Sequence, residues 1–393
     1  MKKTLAAVAV LGAFAGSAMA ANVELYGSVS TGLVFSHTDS VGDESAQNSV
    51  TMESAWAGDS VFGLTGEEEL GNGWKVGFAL ENEFSSDTGA LATDGKLFDS
   101  MSYLWVGNDA IKLAAGNLGG ALSSAGGDFD LVGDFDPLEA AYGVGGMGLF
   151  ASRDLAFDNA LALELTPIDG LTVSLQASLQ ASLEDEDQNS GWSQRDHYYG
   201  VGAKYENGPL ALSLVAERIK PANGKVFATD VDDDGRGVTA NYKASGIYTF
   251  GASWDFEVVK PTFMYQHTDN MRLSQFAGDF TGITEEDPIP VIGSEEKYAQ
   301  DMMLDTDSFL LGATAPLGNG TLGVSAQYAQ VKFVNDTKSD KGNAYTFGVA
   351  YSYELSKRTN LYAAGVYTHG TKDLKDCAEL NGYQIGFGLN HTF

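Results

Sequence analysis

The side chains most capable of chemistry in this sequence are carboxylates, and two stretches concentrate them. In Asp230-Val231-Asp232-Asp233-Asp234-Gly235, Asp230, Asp232 and Asp234 stand at alternate positions ahead of a glycine. Alternate aspartate oxygens converge when glycine lets the backbone turn sharply, which is how a calcium loop begins. The twelfth position is Asn241 rather than a bidentate glutamate, and the ninth, Val238, offers only its carbonyl. In so acidic a chain a solvated external loop is the plainer reading, and calcium bound there would brace the loop rather than do chemistry. The second stretch, 117–148, is glycine-rich and holds Asp128, Asp130, Asp134, Asp136 and Glu139, with Phe129, Phe135 and Tyr142 among them. Catalytic patterns are missing. His37, His197, His267, His369 and His391 are scattered, with no metalloprotease pairing, nucleophile elbow or phosphate loop around them. The single cysteine, Cys377, excludes an internal disulfide and a thiolate metal cluster, and acidic Asp376 and Glu379 disfavour its thiolate. The residues point away from an enzyme and need no cofactor beyond that possible Ca2+.

What positions these residues follows from the rest of the composition. A net charge of −30 gives nucleic-acid phosphates nothing to bind. The 21 Phe, 17 Tyr and 5 Trp can bury substantial surface, which argues against a disordered acidic chain. Residues 1–20 read as a cleaved signal peptide: Lys2 and Lys3 form a basic start, Leu5 to Phe14 is too short an apolar run to span a bilayer as a helix, and Ser17-Ala18-Met19-Ala20 ends on small residues. Residues 21–393 then form a single domain with 53 acids against 21 bases, a charge of −32. An export signal with no second hydrophobic helix means a secreted, periplasmic or outer-membrane product.

Beyond Ala20 the pattern is alternation. Leu171, Val173, Leu175, Ala177 and Leu179 interleave with Thr172, Ser174, Gln176, Ser178 and Gln180; Tyr345 to Glu354 and Tyr383 to Thr392 do the same. A period of two puts one set on each side of a sheet. A soluble sandwich would bury the apolar face, whereas a transmembrane barrel points it at lipid and lines a wet lumen with the polar one. Three features favour the barrel. The polar face is small and hydrophilic. Aromatic residues such as Tyr103, Trp105, Tyr351 and Tyr353 stand near segment ends, as interface girdles do. Short turns (Gly71-Asn72-Gly73, Pro167-Ile168-Asp169-Gly170, Asn207-Gly208, Leu317-Gly318-Asn319-Gly320) alternate with long acidic connections near 184–196, 221–241, 271–304 and 370–381. The segments number about sixteen, with boundaries uncertain by two to four residues, so fourteen or eighteen also fit. One of these segments runs from 52 to 67. A barrel of this size encloses an aqueous channel.

Several stretches resemble the trimeric general-diffusion porins of Gram-negative outer membranes, of the beta-proteobacterial type. Val23-Glu24-Leu25-Tyr26-Gly27 is similar to the family's opening strand, and Phe62 to Gly73 followed by Ala79-Leu80-Glu81 to its second hairpin. The ending Asn390-His391-Thr392-Phe393 resembles the C-terminal signal read by the barrel assembly machinery, with Phe393 as its mark. The resemblance implies a homotrimer in outer-membrane lipid and lipopolysaccharide, each barrel narrowed by a third loop folded inward, matched here by 117–148. Its carboxylates would then form an acidic constriction that attracts cations, over distances shorter than the ~8 Å Debye length at physiological salt.

The family places arginines on the wall opposite that loop, and the matching positions read Val61, Ser100, Asn117 and Ala156. Arg153 stands three residues early. The other candidate wall bases are Lys75, on the polar parity of its strand, and Lys112; parity adds Asp158, Glu164 and Glu217 as acidic wall residues. The expectation is an outer-membrane diffusion channel for small hydrophilic solutes and ions, preferring cations. The alternatives are a substrate-specific channel, which would need an aromatic track along its lumen, and a structural or adhesive barrel whose loops bind calcium.

Overall fold

A computed structural model describes residues 22–40, 45–54, 56, 58–93, 95–124, 127–129, 131, 150, 156–181, 191–223, 226–231, 237–272, 303–333, 341–372, 374 and 381–393. The strands are β1 (Asn22–Thr38), β2 (Gln47–Ser54), β3 (Val61–Gly71), β4 (Trp74–Glu83), β5 (Met101–Asn108), β6 (Ile111–Gly119), β7 (Ser123–Ser124), β8 (Gly127–Asp128), β9 (Ala156–Ile168), β10 (Leu171–Ser178), β11 (His197–Asn207) and β12 (Leu210–Lys220). They continue as β13 (Val226–Val231), β14 (Gly237–Asn241), β15 (Ser245–Trp254), β16 (Lys260–Arg272), β17 (Met303–Leu317), β18 (Gly320–Phe333), β19 (Lys341–Ser356), β20 (Thr359–Lys372) and β21 (Asn381–Thr392). β7–β8 and β13–β14 are separate hairpins. The remaining 17 strands form one sheet, antiparallel throughout, which closes where β1 pairs with β21 from Ser28↔Thr392 to Thr38↔Gly382. The last residue completes the seam: Phe393 N donates to the Gly27 carbonyl at 2.9 Å.

Seventeen strands make a sixteen-stranded barrel because β2 and β3 occupy one place in the wall. β3 pairs with the first part of β1 (Asn22↔Glu67 to Ser28↔Val61) and β2 with the last part (Thr31↔Ser54 to Thr38↔Gln47). The segment read from sequence as one strand over 52–67 is therefore divided between β2, which ends at Ser54, and β3, which begins at Val61. Ser30 pairs with Asn390 of β21 but has no strand partner on the interrupted side, and hydroxyls bond its backbone there. Ser60 Oγ accepts from Ser30 N at 3.0 Å and donates to its carbonyl at 3.1 Å, and Ser86 Oγ donates to the same carbonyl. Ser86 N in turn donates to Ser54 Oγ at 2.8 Å, so the chain just after β4 fills the gap.

Short turns lie at one end of the barrel with the closing Phe393, and long connections at the other. The β3–β4 turn needs left-handed backbone at Asn72 (φ 53°) and Gly73 (φ 76°), a requirement met by the Asn-Gly pair. Paired residues on neighbouring strands share a face, so the register sorts every side chain. The outer face is apolar, with Leu104, Leu214, Leu311 and Phe387 exposed. Aromatic rings ring it at both ends: Tyr265 and Phe309 (centroids 4.9 Å apart) and Tyr328 and Tyr345 (5.1 Å) toward the long loops, Trp254 and Phe256 (6.1 Å) at the turns. Charged outward residues such as Arg218, Lys220, Asp305 and Lys332 fall near the loop ends of their strands, where a charge escapes the ~2–4 kcal/mol that Arg or Lys costs at the bilayer midplane.

Candidate functional site

The inner face is identified by what lies against it. A methyl group added at Gly200 would stand 2.6 Å from Ala121 Cβ, one at Gly202 3.3 Å from Phe129 Cδ1, and one at Gly251 3.2 Å from Leu131 Cδ1. The chain that leaves β6 therefore runs inside the barrel, across β11, β12 and β15. Phe129 and Leu131 are buried there with Leu118, Leu122 and Phe150. This is the root of the third loop, and it enters the lumen as the family resemblance implied.

Tyr198 is one point at which the wall grips that root. Tyr198, fully buried, stacks on Phe157 with ring centroids 3.8 Å apart and planes 13° apart. Its hydroxyl donates to Glu217 Oε1 at 2.7 Å and accepts from the backbone N of Ala121. Glu217, placed on the wall by parity, does face inward, although under the loop root rather than open to solute: it is 3% exposed. Glu164 also faces inward, in register with Lys112 and Ser174. Asp158 does not continue their row. Its neighbour Phe157 takes the inward place, left-handed Asn159 (φ 53°) resets the alternation, and Asp158 pairs with Lys96 at 3.1 Å.

The opposite side of the lumen is built from β1 and β3 to β6. Register runs Tyr26↔Gly63↔Glu81↔Met101 in one inward row and Thr65↔Ala79↔Tyr103↔Gly116 in the next, with Trp105 beyond. Tyr103 and Trp105, expected at an interface girdle, instead face the lumen, while Leu104 between them faces lipid. Asn117 shares the outward face of Ser102, so it does not line the pore; its Nδ2 donates to the Asp99 carbonyl at 3.1 Å. Ser100 reaches the lumen wall by donating to Glu81 Oε1 at 2.6 Å. Val61 is inward in register with Glu83, and Ala156 ends the β6–β9 ladder opposite Gly119. None of the four arginine-equivalent positions supplies a base.

The lumen-facing lysines near the turns are Lys75, Lys112, Lys204 and Lys260. Lys75 is held by Glu67 at 2.9 Å and Glu69 at 3.3 Å, and Lys204 by Glu206 at 3.5 Å. Lys112, whose facing the sequence left open, puts its ammonium 5.4 Å from the Trp105 ring centroid. At mid-height no described strand turns a lysine or arginine inward, while Glu81, Glu83 and Glu217 do face the lumen.

Of the loop carboxylates, Asp128 lies in β8, its backbone paired with Ser123; Asp130, Asp134, Asp136, Glu139 and Arg153 lie outside the described residues. So do Asp232 and Asp234. Asp230 belongs to β13, where it pairs with Val238 of β14, and among the described residues no group of three or more His, Cys, Asp or Glu could hold a metal ion.

The architecture has many counterparts. The sequence over residues 6–373 matches the Gram-negative porin family. An outer membrane porin protein of Bordetella pertussis is 30% identical over the full length of both chains, and so is outer membrane porin protein 32 of Delftia acidovorans. Among solved structures, an anion-selective porin from Comamonas acidovorans superposes with a TM-score of 0.61 at 21% identity, covering 95% of this chain and all of the other. The OmpF porin of Salmonella typhi, solved in complex with daunomycin, does so with a TM-score of 0.61 at 15% identity, covering 94% of this chain and 97% of the other. A closed sixteen-stranded barrel with an apolar outer face, two aromatic girdles and a chain folded into its lumen, matched end to end by such relatives, is a Gram-negative porin of the outer membrane.

Proposed function

We propose that this porin is a passive, water-filled diffusion channel for small hydrophilic solutes that prefers cations and works as a homotrimer. The observation that carries the cation preference is the distribution of charge on the inner wall. Mid-height carries Glu81 and Glu83, with Glu217 beneath the loop root, and no strand-borne base among the described residues, while two of the turn-end lysines, Lys75 and Lys204, are spent in ion pairs. Lumen-facing charge is what tunes barrel selectivity. The Comamonas relative is anion-selective, so the barrel alone does not dictate the sign. The carboxylates of 117–148, Asp128, Asp130, Asp134, Asp136 and Glu139, would add to the same negative field because their chain enters the lumen at Ala121. Export by cleavage of residues 1–20, recognition of Phe393 by the assembly machinery, contact with lipopolysaccharide and calcium in the loop after Asp230 belong to the same proposal.

Planar-bilayer recording of the purified porin in a KCl gradient tests it. The expected result is ohmic steps in groups of three with a reversal potential drawn toward potassium. A reversal potential on the chloride side would overturn the cation preference. Replacing Asp128, Asp130, Asp134 and Asp136 together by Asn is expected to weaken that preference; a variant that kept it in full would remove the loop from the selectivity filter.

A further inference from the structure

Rings on the inner wall recur over glycines, either of the neighbouring strand or two residues along their own. Trp105 lies flat on Gly77, where an added methyl group would be 2.6 Å from both Cε2 and Cζ2. Tyr26 covers Gly63 in the same way, and Tyr198 covers Gly200. A ring seated on glycine lies along the wall instead of projecting across the pore, so it leaves the channel open and turns one face toward passing solute. Tyr198 and its neighbours Phe157 and Phe129 are sealed under the loop root. Tyr26, Tyr103 and Trp105 are only half-buried. They form a ladder on one wall, with Tyr103 and Trp105 two residues apart on β5 and Tyr26 one row nearer the loops.

Glu81 stands between these rings. It is in register with Gly63 beneath Tyr26 on one side and with Met101, two residues before Tyr103, on the other. Its side chain is buried among them, 8% exposed, and its carboxylate accepts from Ser100 Oγ at 2.6 Å, which fixes it in place. The wall also contains its own stand-in for a cationic guest: the Lys112 ammonium sits over Trp105, as a cation drawn by the ring quadrupole does.

We infer that Tyr26, Tyr103 and Trp105, grouped around Glu81, form a stacking strip that retards flat aromatic cations relative to compact ones. The ring faces supply stacking and cation–π attraction, and Glu81 supplies the opposite charge. The inference rests on the channel reading above and deepens it by naming a class of solute that the wall distinguishes. A compact quaternary ammonium feels the same carboxylate and the same cation–π attraction but has no face to stack on the rings. The discrimination between the two therefore isolates ring stacking from the charge-based attractions that both share.

The test uses the full porin in a planar bilayer, with phenyltrimethylammonium and tetramethylammonium as probes of equal charge added to KCl. KCl conductance alone reads the channel, so a failure of the channel reading shows as no ohmic steps before any probe is added. With conductance present, phenyltrimethylammonium is expected to reduce the current at a concentration lower by about 2- to 12-fold, the range that aromatic ring stacking supplies beyond the cation–π attraction both probes share. Trp105→Leu and Tyr103→Leu, separately, are expected to bring that ratio toward one, and Glu81→Gln to weaken block by both probes together. The two single-ring variants keep the test informative if one of them fails to insert. Equal block by the two cations in the wild type, or a ratio that survives both ring replacements, would overturn the strip.

Discussion

The two halves of the lumen wall use one device to opposite ends. On β9, β11 and β12, inward rings and glycines are covered: Tyr198 and Phe157 stack beneath the loop root, Ala121 sits where Gly200 has no side chain, and Glu217 is shut in with them. On β1, β4 and β5 the same pairing of ring and glycine is left open, with Tyr26 over Gly63 and Trp105 over Gly77 half-exposed around Glu81. The covered half holds the loop, and the open half meets the solute. An inward ring lying over an inward glycine thus has no fixed role. Its role depends on what the chain lays over it.

The comparison breaks most readily at Tyr198. Tyr198→Ala removes a fully buried ring that also satisfies Glu217 and the Ala121 amide, so it is expected to cost about 3–5 kcal/mol of barrel stability by lost packing alone. Tyr198→Phe keeps the stack and leaves two buried polar groups to find other partners, at about 1–3 kcal/mol each. Both variants should lower the urea midpoint of the refolded barrel and add current noise, since the loop root loses its grip. Tyr26→Ala, on the open half, should do less to the midpoint and leave the current quiet. Equal destabilisation by the Tyr198 and Tyr26 replacements would mean that covering does not separate the halves.

A smaller effect sharpens the same contrast through the glycines. At Gly200 an added methyl group meets Ala121 Cβ, which moves only if the loop backbone moves; at Gly63 it meets the ring of Tyr26, which can swing aside. Gly200→Ala is expected to cost about 1–3 kcal/mol by overpacking and to change single-channel conductance. Gly63→Ala should cost less and alter phenyltrimethylammonium block more than conductance. Measuring both quantities for both variants decides whether the glycines serve separate functions.

Much of the barrel was legible in the sequence because alternation is a local signal. β10, β19 and β21 follow the polar and apolar parity of their residues, and Lys75, Glu164 and Glu217 turn inward as that parity predicts. What failed depended on a neighbouring strand. Tyr103 and Trp105 look like girdle residues because both sit near a strand end, and only their register with Ala79 and Gly77 turns them inward. The interruption between Ser54 and Val61 carries no local mark, since the hydroxyls that compensate for it come from Ser54, Ser60 and Ser86, scattered along the chain. Asp158 was misplaced by one left-handed residue, Asn159, and left-handed backbone outside glycine leaves little trace in sequence. The resemblance located the inward loop, but the grip of Tyr198 on Ala121 spans 77 residues and could be found only in three dimensions.

The smallest effect is expected where the lumen opens at the turns. Lys75 faces inward between Glu67 and Glu69, so Lys75→Gln removes one positive charge and releases two negative ones into the same mouth. That mouth is open to solvent, and ions screen a charge there over about 8 Å at physiological salt. The replacement should therefore move the KCl reversal potential only slightly further toward potassium, and the shift should fade as salt is raised. Glu81→Gln, deeper in the wall and beside the rings, should move it the other way by more. If Lys75→Gln gave the larger shift, selectivity would be set by the turn-end mouth, and the open half of the lumen would keep its rings for stacking while losing its part in choosing charge.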